Sequence, residues 1–173
     1  MSLGKLLQPN LILPGSILKL TPEVLDRYHL KGLVLDVDET LVPFRMADVS
    51  EELLPWVEAI RQIAPLWLVS NNISEARIRR IAKTLSLPYI AGAGKPSRRK
   101  LRRAVEAMNF PVEQVGMVGD RLFTDVLAGN RLGMFTILVE PMVNPNEAMR
   151  RSSLHSFEVW LSQALGASLM PHK

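Results

Sequence analysis

The chain has 173 residues, a net charge of +4 and no cysteine. This length predicts one domain with its own core, and the lack of cysteine excludes a disulfide framework and a thiolate metal site. The longest apolar stretches are of strand length or are interrupted, as by Pro14 and Gly15, so no membrane-spanning helix is predicted. The N-terminus does not resemble a cleavable signal. We expect a cytoplasmic protein, with peripheral membrane association as an alternative.

Predicted strands and helices alternate along the chain. After an irregular start, Thr21 and Pro22 are typical of a helix N-terminus, and this helix should reach about His29. Strands are predicted up to Asp36, up to Val69, and over 89–90, 115–118 and 135–139, and helices over 50–62, 74–85, 97–109 and 124–132. Such alternation implies parallel pairing and an α/β fold, a three-layer α/β/α sandwich with a mostly parallel sheet.

Two carboxylates, Asp36 and Asp38, follow the apolar run 32–35. Residues two apart in a strand share a face, so both side chains could converge on one cation. Mg²⁺ prefers oxygen ligands of this kind. A lone Asp-x-Asp more often only ends a strand and begins a turn, so the rest of the chain must decide between the two interpretations.

More polar side chains follow the later predicted strands. Ser70 follows the second strand, Lys95 comes five residues after the third, and Asp120 and Asp125 follow the fourth. In parallel α/β sheets, ligands bind at the carboxyl ends of strands. Singly, Ser70 and Lys95 would more often be a loop polar residue and a surface lysine, but the ordered set favours a site.

This ordered set resembles a known family. Asp36-x-Asp38-x-Thr40, Ser70, Lys95 and Gly119-Asp120-x-x-x-x-Asp125 are similar to the four motifs of the haloacid dehalogenase (HAD) superfamily of aspartate-nucleophile phosphatases. The resemblance spans residues 32–139. Segments 69–72 and 119–133 further resemble the capless subfamily III-A branch, which includes phosphatidylglycerophosphate phosphatases.

The resemblance implies roles for the acidic residues. Asp36 would be the nucleophile that forms an aspartyl-phosphate, and Asp38 would act first as general acid and then as general base. A second acid at Asp38 argues against a dehalogenase, whose counterpart lacks it. Mg²⁺ would be held by Asp36, the backbone carbonyl of Asp38, and Asp120.

The resemblance also implies a phosphate-binding set. Ser70, the backbone N–H of Asn71 and Lys95 would bind the oxygens of the transferring phosphoryl group. Thr40 and Asp125 would support the site from behind. Asp125 is expected to orient a water molecule or Lys95 rather than to bind metal directly.

The spacing between the motifs leaves no room for an inserted cap domain. The gaps from Asp38 to Ser70 and from Ser70 to Lys95 each fit one helix and one strand. We predict a single domain over 1–173, with an N-terminal arm and helix (1–30), a catalytic core (31–140) and a C-terminal helix and tail (141–173). An open site suits a substrate whose bulk stays outside, such as a lipid, a polynucleotide end or a protein, unless a neighbouring subunit supplies a lid.

Basic residues crowd the two helices that follow Ser70 and Lys95. They could form a positive rim that attracts an anionic substrate or lipid headgroups, although a solvated face is an equal alternative. The residues are Arg77, Arg79, Arg80, Lys83, Arg98, Arg99, Lys100, Arg102 and Arg103. An apolar stripe over 154–165 and the arm at 11–18 could contact a membrane, but such stripes more often pack on a core.

These observations predict a Mg²⁺-dependent phosphomonoester hydrolase, with phosphatidylglycerophosphate as the favoured substrate. A phosphatase acting on a soluble phosphate ester or a nucleic acid end is the first alternative, and the positive net charge also suits it. A non-catalytic binding or scaffold protein is the second. The complete set of acidic, hydroxyl and ammonium groups counts against that last alternative.

Overall fold

The computed structural model describes residues 2–142 together with 163 and 166. Its helices are α1 (Leu3–Leu6), α2 (Pro22–Arg27), α3 (Leu53–Arg61), α4 (Glu75–Leu85), α5 (Arg99–Met108) and α6 (Leu127–Leu132). Its strands are β1 (Leu11–Ile12), β2 (Gly32–Leu35), β3 (Leu66–Val69), β4 (Tyr89–Ile90), β5 (Val115–Gly119) and β6 (Phe135–Leu138). Two 3-10 helices (Ile17–Lys19 and Val112–Gln114) and a π-helix (Leu122–Val126) complete the set.

The described strands form one sheet in the order β1-β6-β5-β2-β3-β4, and every pairing is parallel. β2 lies between β5 and β3, with Leu35 in register with Val118 and Leu68. The carboxyl ends of these three strands therefore meet at one edge. The predicted α/β fold with a mostly parallel sheet is confirmed.

Helices cover both faces of the sheet. Along β2, Leu33 and Leu35 point into a core formed with α2, α3 and α4, whereas Val34 points into a second core with α5 and α6. All residues of β2 are buried, as expected for a central parallel strand that packs on both faces. Trp56 on α3 also donates a hydrogen bond to the Leu20 carbonyl (2.8 Å), which ties the N-terminal arm to this layer.

The predicted element boundaries differ from the observed ones at helix starts. The helix predicted from Ser50 begins at Leu53, because residues 51 and 52 form a turn in which Leu53 N–H donates to the Ser50 carbonyl. The helix predicted from Ser97 begins at Arg99. The helix predicted from Thr124 to Leu132 is a π-helix followed by α6, and Gly133 ends it in a left-handed conformation at φ 91°.

The prediction of an irregular N-terminal start was wrong. β1 adds a parallel strand to the edge of the sheet beside β6, and Leu11, Leu13 and Ile17 are buried in the core. Core packing of the arm at 11–18 is therefore confirmed. The stripe predicted over 154–165 lies outside the described residues except for residue 163.

Within residues 2–142, the gaps between the motifs hold only single elements. α3 separates β2 from β3, and α4 with β4 separates β3 from Lys95, so neither gap contains a cap domain. No helix in the described part of the chain is long and apolar enough to cross a bilayer. The division into arm, core and tail stays a prediction.

Candidate active site

The predicted site residues meet at the carboxyl edge of the sheet. Asp36, Ser70 and Asp120 directly follow β2, β3 and β5. Lys95 reaches the same place on the loop after β4, which is joined to the preceding loop because Ala93 N–H donates to the Ser70 carbonyl (2.8 Å). Asp36 is only 6% exposed, so its carboxylate lies in an environment that water barely reaches.

A tight turn after β2 places Thr40 behind the nucleophile position. The N–H groups of Leu41 and Val42 both donate to the Val37 carbonyl (3.0 and 3.2 Å), so the chain folds back at once. Thr40 Oγ1 then lies 3.3 Å from Asp36 Oδ2 and 3.4 Å from Asp120 Oδ1. Because a hydroxyl has one proton, Thr40 can donate to only one carboxylate at a time and bridges the two.

Lys95 is the cation of the cluster. Its Nζ lies 2.6 Å from Asp36 Oδ1 and 2.6 Å from Asp125 Oδ1, and it donates to the Val69 carbonyl at 2.9 Å. The ammonium is therefore held by two carboxylates and one backbone carbonyl. Asp125 thus pairs with Lys95, and its expected role of orienting Lys95 or a water molecule stays a prediction.

Gly119 permits the close approach of Asp125. A Cβ atom at position 119 would overlap the Asp125 carboxylate, so a side chain here would push that carboxylate away from Lys95. The Arg121 N–H also donates to Asp125 Oδ2 (3.3 Å). Glycine immediately before Asp120 thus positions an acid six residues later in the sequence.

Burial and charge act together on the titration of this cluster. Burial raises the pKa of Asp36 to about 7, and the Asp125 carboxylate adds to the shift while Lys95 opposes it. Burial, with Asp36 and Asp125 nearby, raises the pKa of Asp120 well above its usual range. Burial alone would lower the pKa of Lys95, but Asp125 and Asp36 raise it, so the ammonium stays charged.

Asp38 faces a different set of partners from Asp36. Its Oδ2 accepts a hydrogen bond from Ser70 Oγ (3.2 Å), and its Oδ1 lies 2.7 Å from Arg77 Nη1. Ser70 Oγ in turn accepts from the Asn72 N–H (3.0 Å). The Asp38 carboxylate is thus held between the Arg77 guanidinium and the hydroxyl expected to bind phosphate.

Arg77 is a functional candidate that the sequence placed only in the positive rim. Besides Asp38, it binds the loop after β2, donating from Nε to the Met46 carbonyl (2.7 Å) and from Nη2 to the Pro43 carbonyl (3.4 Å). Its side chain is only 12% exposed. Its position in the first turn of α4 could have indicated a place at the site, because the N-terminus of a helix that follows a strand lies at the carboxyl edge of the sheet.

Asn71 joins the two loops that carry Ser70 and Lys95. Its Nδ2 donates to the Lys95 carbonyl (2.9 Å), and its Oδ1 accepts from the Lys95 N–H (2.7 Å). This paired contact fixes the backbone of the lysine. The expected role of the Asn71 backbone N–H toward a phosphoryl group stays a prediction.

The acidic cluster fits a divalent cation. Carboxylate oxygens of Asp36, Asp120 and Asp125 lie within 4.8 Å of one another, and all three residues are buried. Three carboxylates against the single ammonium of Lys95 leave an excess of negative charge where water cannot screen it. A hard cation with oxygen ligands would remove that excess. The Asp38 side chain is not in this group, and the expected role of its backbone carbonyl stays a prediction.

The positive rim is only partly available for a ligand. Arg79 pairs with Glu75 (2.8 Å) and Arg80 pairs with Asp48 (2.6 Å), while Arg77 is committed to Asp38. On α4 the arginines are therefore largely neutralised by nearby acids. The basic residues at the start of α5 have no such partners among the described residues.

Comparison with known proteins agrees with this geometry. A family model described as HAD-hydrolase-like matches residues 92–160. The chain is 36% identical over 137 residues to the probable phosphatase YqeG of Bacillus subtilis, covering 79% of each chain. The chain belongs to the HAD-like hydrolases.

A second relative of this HAD-like chain has a named substrate. Phosphatidylglycerophosphate phosphatase 1 of Arabidopsis thaliana is 27% identical over 158 residues, which cover 83% of this chain but only 45% of that protein. The chain thus spans less than half the length of this relative.

The HAD-like fold is also found among solved structures. A putative HAD-hydrolase, YfnB of Bacillus subtilis, solved bound to magnesium, superposes with a TM-score of 0.51 at 13% identity. The match covers 63% of this chain and 86% of that one. This likeness concerns the fold alone.

Proposed function

We propose that the chain is a Mg²⁺-dependent phosphomonoester hydrolase that converts phosphatidylglycerophosphate to phosphatidylglycerol and phosphate. The observation that carries the chemistry is the arrangement at the sheet edge. A buried Asp36 carboxylate lies 2.6 Å from the Lys95 ammonium, and Asp38 lies beside Ser70 at the same edge. The groups that we propose as nucleophile, acid/base and positive charge are thus separate side chains at one edge of the sheet.

The first half-reaction would transfer the phosphoryl group to the protein. An Asp36 carboxylate oxygen attacks phosphorus, the bond from phosphorus to the ester oxygen breaks, and Asp38 in its protonated form gives a proton to that oxygen. Lys95 and Ser70 stabilise the negative charge on the transferring oxygens. The alcohol, phosphatidylglycerol, then leaves.

The second half-reaction would release phosphate. A water molecule attacks the phosphorus of the aspartyl-phosphate while Asp38, now ionised, takes one of its protons. The bond between phosphorus and the Asp36 oxygen breaks, which restores the carboxylate and frees inorganic phosphate. Ser70, which donates to Asp38 Oδ2 at 3.2 Å, would turn that donor to the phosphoryl group.

Mg²⁺ would be held by Asp36, Asp120 and the backbone carbonyl of Asp38, with Asp125 close enough to support it. Bound there, it supplies positive charge that screens the carboxylates from the anionic phosphate and polarises a phosphoryl oxygen. The buried, negatively charged cluster supports this choice of ion.

Three features support a lipid substrate. The described residues contain no cap, so the site is open to a substrate with a large body. Apolar side chains stand at the same edge, with Ile73 91% exposed just after the β3 loop and Phe44 and Met46 exposed after the β2 turn. The Arabidopsis relative carries the corresponding activity in its name.

Phosphate release from phosphatidylglycerophosphate in mixed micelles, with and without Mg²⁺, tests the proposal. Asp36→Asn should reduce kcat by at least about a thousandfold, because it removes the nucleophile. Asp26→Asn, an exposed aspartate on α2, is the matched control and should retain activity. A panel of soluble phosphomonoesters and DNA or RNA ends with terminal phosphates is measured in parallel.

The panel separates the alternatives. Turnover of soluble esters or nucleic acid ends without the lipid would retain the phosphatase chemistry and reject the lipid substrate. No turnover of any ester by the unaltered protein would reject the catalytic proposal and favour a binding protein.

A further inference from the structure

A second basic site lies outside the catalytic cluster. The guanidinium groups of Arg98, Arg99, Arg102 and Arg131 line an open cleft of about 550 Å³ together with Ser97. Three of these arginines come from the start of α5 and the fourth from the last turn of α6. The cleft, which we call the arginine cleft, therefore joins residues as far apart in the sequence as Arg98 and Arg131, which are 33 positions apart.

Two hydrogen bonds connect the walls of the arginine cleft. Arg98 Nη1 donates to the Arg131 carbonyl (3.0 Å), and Arg131 Nη1 donates to the Pro96 carbonyl (3.1 Å). These bonds hold two like-charged side chains close together. Each still has donors left, since a guanidinium carries five.

The positive charge in the cleft is uncompensated within the described residues. None of the carboxylates that the structure describes forms an ion pair with the four arginines. Cations at the start of a helix also oppose the helix macrodipole, so three arginines around the first turn of α5 are unfavourable for the isolated protein. Binding an anion would offset both effects.

The cleft is coupled by the chain to the catalytic lysine. Pro96, whose carbonyl Arg131 binds, is the next residue after Lys95, and Ser97 lines the cleft one residue further on. The segment that carries Lys95 therefore continues directly into the wall of the cleft. Guanidinium forks match phosphate oxygens in a bidentate geometry.

We propose that the arginine cleft binds a second, non-reacting phosphate group while Asp36 attacks the first; this inference rests on the proposed phosphatase function. The ligand is a phosphodiester of the glycerophospholipid class. It can belong to the substrate itself, which carries a diester beyond its terminal phosphate, or to a neighbouring anionic headgroup of the membrane.

The double variant Arg99→Gln/Arg102→Gln tests the cleft, with Arg103→Gln/Lys83→Gln as a control that removes the same charge from exposed helix positions outside it. The measured quantity is kcat/KM for phosphatidylglycerophosphate divided by kcat/KM for p-nitrophenyl phosphate, which carries one phosphate only. This ratio should fall at least about tenfold in the cleft variant and less than about twofold in the control.

Substrate presentation distinguishes the two sources of phosphate. If the kcat/KM ratio of the cleft variant falls with a short-chain substrate below its critical micelle concentration, the cleft binds the substrate's own diester. If the ratio falls only in vesicles that contain phosphatidylglycerol, and not in vesicles of pure phosphatidylcholine, the cleft binds a neighbouring headgroup. An unchanged ratio in every format, or an equal fall in the control, overturns the proposal.

Flotation of the protein with lipid vesicles tests the arginine cleft independently of catalysis. If the unaltered protein hydrolyses no phosphomonoester, the proposed function fails, but binding to phosphatidylglycerol vesicles can still be measured. Loss of flotation in Arg99→Gln/Arg102→Gln alone supports the cleft as a phosphate site, and equal flotation of all three proteins overturns it. Circular dichroism checks that each variant is folded.

Discussion

At the residue scale, the contact between Arg77 and Asp38 concerns the carboxylate that we propose as the acid and base of the reaction. Arg77 holds one oxygen of Asp38 and also two carbonyls of the loop after β2, so it fixes the acid relative to that loop. Small misplacements of a catalytic group are costly, since about 1 Å can reduce a rate about a hundredfold. Arg77 is therefore expected to be a positioning residue.

We expect Arg77→Gln to lower kcat for an alkyl phosphate by about tenfold to a hundredfold, with a smaller effect on KM. The effect on p-nitrophenyl phosphate should be weaker, because nitrophenolate leaves without needing a proton from Asp38. Arg77→Lys should recover part of the loss by keeping the charge. Steady-state kinetics with both esters measure these differences.

Arg79→Gln is the matched control, because Arg79 lies on the same helix but pairs with the exposed Glu75. It should change kcat little, as exposed ion pairs contribute little. Equal losses on alkyl and nitrophenyl esters in Arg77→Gln would mean that Arg77 only maintains the loop.

At the element scale, Asn10 is one of the side chains that attach the N-terminal arm to the sheet. Asn10 Oδ1 accepts from the Thr136 N–H (2.8 Å) and Oγ1 (3.0 Å), while Asn10 N–H donates to the Thr136 carbonyl (3.0 Å). Asn130 Nδ2 donates to the carbonyls of Leu6 and Gln8, so the segment just before β1 is held by a side chain from α6 as well as by β6.

Replacing Asn10 by alanine should lower the free energy of unfolding by about 1–3 kcal/mol, because the buried Thr136 N–H loses its acceptor. Gln62→Ala, at an exposed position after α3, is the control and should change it by less than about 0.5 kcal/mol. Urea unfolding measures both values. A loss in Asn10→Ala no larger than in the control would show that other contacts hold the arm.

The same element shows where sequence reasoning ends. Strands such as β2 and β5 are predictable because each is a continuous apolar run, and the acids after them follow from strand ends. β1 has only two residues, and it pairs with a partner 126 positions away through Asn10 and Thr136. Nothing in local periodicity encodes such a contact. The sequence did not predict the pairing of Arg77 with Asp38 for the same reason, since the two residues belong to different motifs.

At the scale of the whole molecule, charge is arranged by depth. Acids are buried at the carboxyl edge around Asp36, while arginines stand exposed on α5 and α6 in a chain of net charge +4. An anionic substrate would thus be attracted by the exposed arginines and would meet the buried carboxylates at the proposed reacting centre. The proposed cation would offset the charge of those carboxylates, so we expect the binding of metal and of substrate to depend on each other.

The stability of the metal-free protein should therefore depend on pH in a specific direction. Asp36 has its pKa raised from 3.8 to about 7 in the folded protein. Between these values the folded state binds more protons than the unfolded state, so the free energy of unfolding falls as pH rises through this window. Asp120, with its pKa also raised, acts in the same direction.

In EDTA, we expect the unfolding free energy to decrease from about pH 4 to about pH 7, and Asp36→Asn to flatten this slope because the amide cannot ionise. Mg²⁺ should stabilise the protein most at the upper end of the window, where the carboxylates are charged and bind it without competing protons. Urea titrations at each pH measure the slope for both proteins. A slope in the variant as steep as in the unaltered protein would place the responsible groups outside the Asp36 cluster, and a rise in stability with pH would contradict the assignment of buried, uncompensated acids.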